Sequence, residues 1–80
     1  PYPNPFNPIT TIRFEVAESE NAKLKIFDIK GRVVESFINQ KIESGYNTLE
    51  WNASNQSSGL YFFELTTKNN YATTKLLLIK

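Results

Sequence analysis

The sequence predicts a single all-β domain, an immunoglobulin-like β-sandwich of six or seven antiparallel strands. Three observations support this prediction. Apolar and polar side chains alternate along several short segments, turn residues separate these segments at spacings of roughly 8–12 residues, and no segment has convincing helical periodicity. The 80 residues are enough for one domain, and 40% of them are apolar. Because the chain contains no Cys, packing alone has to hold the sandwich together.

The densest aromatic cluster, Gly59–Leu65, is predicted to be the central strand of the domain. It follows a polar loop over residues 52–58. Because side chains alternate along a strand, Leu60 and Phe62 lie on one face and the odd-numbered side chains lie on the other. Both faces are rich in apolar atoms, so we expect the other strands to cover both of them.

The chain begins with a proline-rich arm over residues 1–9, and the sandwich domain follows over residues 10–80. All four prolines lie in the arm. Each proline fixes its own φ and removes a backbone donor, so the arm is stiff and is neither a helix nor an interior strand. The strands are predicted over residues 10–16, 22–28, 33–38, 46–51, 59–67 and 71–80.

The connections and the less regular elements follow from individual residues. Gly31 is predicted to take a positive φ in a tight turn over residues 28–32, and the polar run 39–44 is predicted to connect two strands. Val34 and Phe37 share a face only if their strand contains a bulge or bend.

Candidate catalytic and metal-binding residues are few. The chain has no His and no Cys, and its strand glutamates, such as Glu15, Glu35, Glu50 and Glu64, lie where alternation expects solvated side chains. Asp28 stands alone, whereas calcium needs several oxygen ligands close together. We therefore expect no enzyme activity, no metal and no cofactor. The net charge of +1 and the absence of a long apolar run argue against nucleic acid and against a membrane span.

Aromatic residues leave one alternative open, an accessory module for carbohydrate binding or scaffolding at the C-terminus of a larger secreted enzyme. Sugar-binding sandwiches use flat exposed rings, and Trp51, Tyr46, Phe27 and Tyr71 are the possible ones. Trp51 fits better as the core tryptophan of a sandwich, and Phe27 is the best candidate for a surface ring. Two coplanar exposed rings on one face would favour sugar binding.

Four motifs together resemble a known family. They are Pro3–Pro8 followed by Thr10–Phe14, the segment Leu24–Val34 with its Asp-x-x-Gly-Lys/Arg-type turn, the Gly-x-Tyr motif in Ser58–Tyr61, and the closing strand Lys75–Lys80. In this order they resemble the C-terminal sorting domains, type A, of the bacterial type IX (Por) secretion system. The proline motif and Gly-x-Tyr are also similar to the immunoglobulin-like module of flagellar hook-capping proteins.

The resemblance implies that the domain is a sorting signal and not an enzyme. Such a domain directs an attached upstream cargo protein from the periplasm across the outer membrane, to the cell surface or the medium. Its implied partners are the secretion machinery of the outer membrane and a sortase-like peptidase that removes it. The sorting residues implied by the resemblance are Pro3, Asn4, Pro5, Asp28, Gly31, Gly59, Tyr61, Lys75 and Lys80.

A physical account of recognition is available for the last strand. Its exposed edge can pair with a strand of a partner, with Lys75 and Lys80 as charge-assisted anchors at either end. The other interpretation is that both lysines only keep the edge soluble, and the sequence leaves the two open. Gly59 and Tyr61 are expected to be mainly structural, and the segment Pro3–Pro8 is expected to set the junction with the cargo.

Overall fold

The structure is a computed structural model that describes residues 9–79, apart from the side chain of Asn39. The described residues form strands and connections without any helix, which confirms the prediction of an all-β immunoglobulin-like sandwich. The six strands are β1 (Ile9–Val16), β2 (Glu20–Phe27), β3 (Val33–Ile42), β4 (Gly45–Asn52), β5 (Gly59–Thr66) and β6 (Tyr71–Leu78).

The strands form two antiparallel sheets. Strands β1 and β4 form a two-stranded sheet, and the other four form a sheet in the order β3-β2-β5-β6. Strand β5 therefore lies between β2 and β6, as the prediction of a central strand requires. The edges of the four-stranded sheet are β3 and β6.

The hydrophobic core lies between the two sheets, and aromatic pairs connect them. The Trp51 ring is 1% exposed and meets the ring of Tyr61 edge-on, with 5.1 Å between centroids. The rings of Phe14 and Phe63 lie 5.4 Å apart. Both distances are in the range in which aromatic pairs attract each other. Trp51 is thus the core tryptophan that the sequence predicts.

Strand β3 is longer than predicted. The polar run 39–44 was expected to be a connection, but β3 continues to Ile42, whose side chain is buried. Ile42 lies opposite Glu20 of β2, so strand pairing continues through residues that carry little apolar signal. Two register shifts between β2 and β3 bring both Val34 and Phe37 against the core, which confirms the predicted bulge.

The expectation that the other strands cover both faces of β5 is wrong for the part of the chain that the structure describes. The inner face of the four-stranded sheet, which faces β1 and β4, buries Tyr61, Phe63 and Leu65. On the outer face, Leu60 is exposed and Phe62 is half-buried, and neither belongs to the core. Strands β1 and β4 cover only one face of the four-stranded sheet, so no strand among residues 9–79 covers the outer face.

Candidate functional site

The Asp28 carboxylate organises the turn between β2 and β3. Its Oδ1 accepts hydrogen bonds from the backbone N–H groups of Lys30 (2.9 Å) and Arg32 (3.0 Å). Its Oδ2 accepts a hydrogen bond from Arg32 Nε at 2.8 Å, which is also an ion pair. The backbone of Asp28 adds two bonds, one from Gly31 N–H to its carbonyl and one from its own N–H to the Arg32 carbonyl, both 3.0 Å.

These bonds also stabilise the ionised form of the carboxylate. The backbone N–H of Arg32 is the main cause that holds the pKa of Asp28 below its ordinary value of 3.8. The Arg32 guanidinium and the Lys30 N–H act in the same direction, while partial burial opposes them. Gly31 has φ +82°, a conformation that other L-residues rarely adopt. The Asp-x-x-Gly motif therefore encodes a tight, charged turn.

The Gly-x-Tyr motif forms the start of β5. Gly59 has φ +152° where the chain leaves the loop and enters the strand. The Tyr61 ring is buried, and its hydroxyl donates a hydrogen bond of 2.7 Å to the carbonyl of Ser57. Tyr61 thus ties the loop to the core. In the same loop, Ala53 is fully buried although the sequence predicts a polar segment here.

The two motifs meet at one end of the sandwich. Phe27 of β2 pairs with Phe62 of β5, so the turn after Phe27 lies beside the loop before Gly59. Between them is a cleft of about 180 Å³, lined by residues 28–30, Arg32 and residues 56–61. Three of the predicted sorting residues, Asp28, Gly59 and Tyr61, therefore line one small depression, and Gly31 belongs to the same turn as Asp28.

The fifth described sorting residue lies on β6. Lys75 is exposed and stands directly opposite Phe62 of β5, on the outer face of the sheet. Strand β6 pairs with β5 on one side, and its other side is a sheet edge. The predicted sorting residues Pro3, Asn4, Pro5 and Lys80 lie outside the described residues.

Sequence reasoning missed an apolar surface beside this cleft, which we call the outer patch. The outer patch consists of Phe27, Val33, Leu60, Phe62, Leu77 and Ile79. Pairing joins Val33 to Phe27, Phe27 to Phe62, and Leu60 to Leu77 across three neighbouring strand pairs. The sequence contains the pattern that predicts this patch. Phe27 is out of phase with the buried residues of β2, and the second face of β5 begins with the apolar residues Leu60 and Phe62.

The exposed rings do not form a sugar-binding platform among the described residues. Tyr46 (84% exposed) lies on β4 and Tyr71 (68% exposed) on β6, so they belong to different sheets. An open cleft of about 680 Å³ beside Tyr46 is also lined by Arg13–Glu15, Asn47 and Thr48. Tyr46 is the only exposed ring in that lining, so the criterion for the carbohydrate alternative is not met there.

No group of three or more metal-ligating side chains occurs in the part of the chain that the structure describes. Residues 9–79 also contain no helix that could cross a membrane.

The fold and the site define a small immunoglobulin-like module with two motif-bearing segments at one end and, beside them, the edge strand β6, which pairs only with β5 among the described strands. The model of the secretion system C-terminal sorting domain matches residues 1–80, so the chain belongs to this family. Members are C-terminal sorting signals for type IX secretion, which confirms the resemblance seen in the sequence. The domain accordingly serves export to the cell surface or the medium. No curated protein and no solved structure gives a significant match to the chain.

Proposed function

We propose that the type IX machinery recognises this sorting domain along the free edge of β6, by pairing a strand of its own with that edge. The observation that carries the proposal is the regularity of this edge. Strand β6 keeps continuous register with β5 from Leu78 opposite Gly59 to Tyr71 opposite Thr66, without a bulge. Such an edge offers an unbroken row of backbone donors and acceptors, which is what strand addition uses for affinity.

The two edges of the four-stranded sheet differ in a way that supports this choice. Strand β3 shifts register twice against β2, and bulges of this kind make an edge a poor template for further pairing. Strand β6 has no bulge against β5 and no proline. All five residues from Tyr71 to Lys75 are exposed, so β1 and β4 do not cover this half of the strand.

Charge gives the edge a preferred kind of partner. Lys75 is the single charged residue of β6, and the structure gives it no ion pair within residues 9–79. Together with Lys80, which the family resemblance adds, it would present two cations to an approaching strand. Carboxylates on that strand would then form charge-assisted hydrogen bonds at its two ends. In this proposal the lysines are anchors as well as solubilising groups.

The remaining steps of export belong to the same proposal. The domain performs no chemistry of its own and follows its upstream cargo through the periplasm and across the outer membrane. Residues 1–9 form the junction with the cargo, and a sortase-like peptidase removes the domain after transport. Family membership supports these steps, since a sorting signal needs to be read by other proteins and has no substrate of its own.

The test is a secretion assay in a bacterium with a working type IX system. Residues 1–80 are fused to the C-terminus of a fluorescent protein that carries an ordinary export signal. We expect the full fusion to reach the surface or medium and a fusion lacking residues 76–80 to stay in the periplasm. If the folded full fusion also stays inside, the sorting function itself is contradicted.

Proline substitutions test the edge more sharply. Amides of a strand point alternately to its two sides, so Ala72→Pro and Thr74→Pro remove donors on one side of β6 and Thr73→Pro removes a donor on the other. A proline at a position whose N–H points away from β5 leaves the hydrogen bonds between β5 and β6 intact, and we expect such an outward proline variant to fold but not to be secreted. Melting curves show which of the variants fold. If a folded proline variant is secreted like the parent, pairing at the edge is wrong.

A further inference from the structure

The outer patch is a continuous apolar surface at one end of the four-stranded sheet. One row runs across all four strands from Val33 through Phe27 and Phe62 to Lys75. The next row places Leu60 opposite Leu77. Leu77 is 67% exposed and Ile79, just beyond the end of β6, is 78% exposed. These side chains are large and adjacent, unlike the scattered apolar residues that occur on any surface.

The other half of the same outer face is an ordinary solvated surface. There, Lys25 lies opposite Glu64, and Glu64 lies opposite Thr73. The Glu64 carboxylate also accepts a hydrogen bond from the Tyr71 hydroxyl at 3.0 Å. An antiparallel sheet with one free face normally carries polar side chains along that whole face. The half beside the Asp28 turn departs from this pattern, because its apolar side chains are neighbours across the strands.

Cations border the outer patch on opposite sides. Lys75 stands at the β6 side, next to Phe62. At the other side, Lys30 and Arg32 belong to the turn that follows Phe27. Arg32 is held in place through its Nε, while its side chain remains 71% exposed. Two acidic groups of this sheet are engaged within the domain, because Asp28 binds the turn and Glu64 binds Tyr71.

We propose that the outer patch docks an acidic amphipathic segment of a protein of the secretion machinery. Apolar side chains of that segment cover Leu60, Phe62 and Leu77, and its carboxylates meet Lys75 on one side and Arg32 on the other. The proposal rests on the proposed function, because Leu77 and Lys75 belong to the edge strand. A partner strand that pairs with β6 therefore places its continuation directly beside the patch.

Charge argues against a second copy of this chain as the occupant. Face-to-face packing of two copies would bring together two sets of the same cations, from Lys75, Lys30 and Arg32, of which, within residues 9–79, Arg32 alone already has an acidic partner, in Asp28 of its own turn. A partner that is apolar and acidic removes this repulsion and adds ion pairs at the border of an apolar contact. Self-association and binding to an anionic membrane are outcomes of the test that contradict the proposal.

The first experiment titrates the 80-residue chain with two synthetic peptides and follows its backbone amides by NMR. Both peptides carry Leu at every second position, and the residues between are Glu in one peptide and Lys in the other. We expect the Glu peptide to bind about tenfold more tightly and to shift the amides of Phe27, Phe62 and Leu77. Equal binding of both peptides, or shifts confined to other surfaces, would overturn the proposal.

Side-chain variants connect the binding to the patch. The double variant Leu60→Ser, Leu77→Ser keeps the core intact and is expected to weaken binding of the Glu peptide by about tenfold or more. Ile38→Ser is the matched control, since Ile38 is also exposed (59%) but lies on β3 roughly 15 Å along the strand from Val33. The control is expected to bind like the parent. An equal loss in the control would show that the patch has no special role.

Two further measurements exclude the other occupants. In flotation with phosphatidylglycerol vesicles, we expect the chain not to bind the vesicles, and in sedimentation equilibrium we expect it to be a monomer. Vesicle binding or self-association that the double variant abolishes would overturn the proposal. In the secretion assay, the double variant is expected to be retained while the Ile38→Ser fusion is exported. If the outward proline variants are retained but the double variant is exported, the edge proposal stands and the patch proposal alone fails.

Discussion

The two faces of β5 carry similar side chains but have different neighbours. On the inner face, Phe63 is 3% exposed and lies against Phe14 of the second sheet. On the outer face, Phe62 is only half-buried between Phe27 of β2 and Lys75 of β6. The sequence alone does not distinguish two adjacent phenylalanines. The arrangement of the sheets distinguishes them, since β1 and β4 cover one face of the four-stranded sheet and no other described strand covers its second face.

This difference separates stability from recognition. The inner face buries apolar area between the sheets, which is the main source of folding free energy in a domain without disulfides. The outer face contributes less to folding, and it is the face to which the proposed partner binds. Substitutions on the inner face are therefore expected to unfold the domain, and those on the outer face to change secretion at nearly constant stability.

The largest expected effect is the difference in unfolding free energy between the Phe63→Ala and Phe62→Ala variants. Removing the buried Phe63 ring leaves a cavity and costs about 3–5 kcal/mol of unfolding free energy. A domain of this size is stable by only about 4–12 kcal/mol, so this variant is close to unfolding. For Phe62→Ala we expect a cost of roughly 1 kcal/mol, because water already reaches part of its ring. Urea unfolding of both variants measures the two losses of unfolding free energy. Equal losses would contradict the conclusion that β1 and β4 cover only the inner face of β5.

Gly31→Ala is expected to have the next largest effect, on the turn that borders the outer face. A Cβ at position 31 would meet no atom within 4 Å, so the cost comes from the backbone conformation alone. At φ +82° we expect a cost of about 1–2 kcal/mol. Gly31→Asn is the control, since Asn tolerates such conformations better and should cost less. Equal costs for both variants would point to a cause other than backbone strain.

Much of this architecture could be predicted from the sequence, because it depends on local patterns. Alternation locates five of the strands well, and Gly31 and Gly59 mark positions where the chain needs a positive φ. The extension of β3 to Ile42 could not be predicted, because it depends on pairing with β2 across a bulge. The outer patch was missed although its apolar residues are visible in the sequence, because which face the second sheet covers is a property of the whole fold.

A pH-dependent effect is expected from Asp28. Its pKa in the folded state lies below the unfolded value of 3.8, chiefly because of the Arg32 N–H. The ionised carboxylate therefore stabilises the folded state above the unfolded pKa, and this contribution disappears as the pH falls through the folded pKa. Asp28→Asn should remove this acid-dependent part of the stability. Thermal melts between pH 7 and pH 2 for the parent and the variant check it, and parallel profiles would contradict the assignment.

The smallest effect is expected on the outer face, in a comparison of two tyrosine hydroxyls. Tyr61→Phe removes the bond of a buried side chain to the Ser57 carbonyl and should cost about 1 kcal/mol. Tyr71→Phe removes an exposed bond to Glu64, where water replaces the lost hydroxyl, and should change stability by less than about 0.5 kcal/mol. Both substitutions delete one oxygen atom, so a difference between their urea midpoints reflects the different surroundings of the two hydroxyl groups. A larger loss for Tyr71→Phe would mean that the polar half of the outer face stabilises the fold, and the division between the two faces would have to be abandoned.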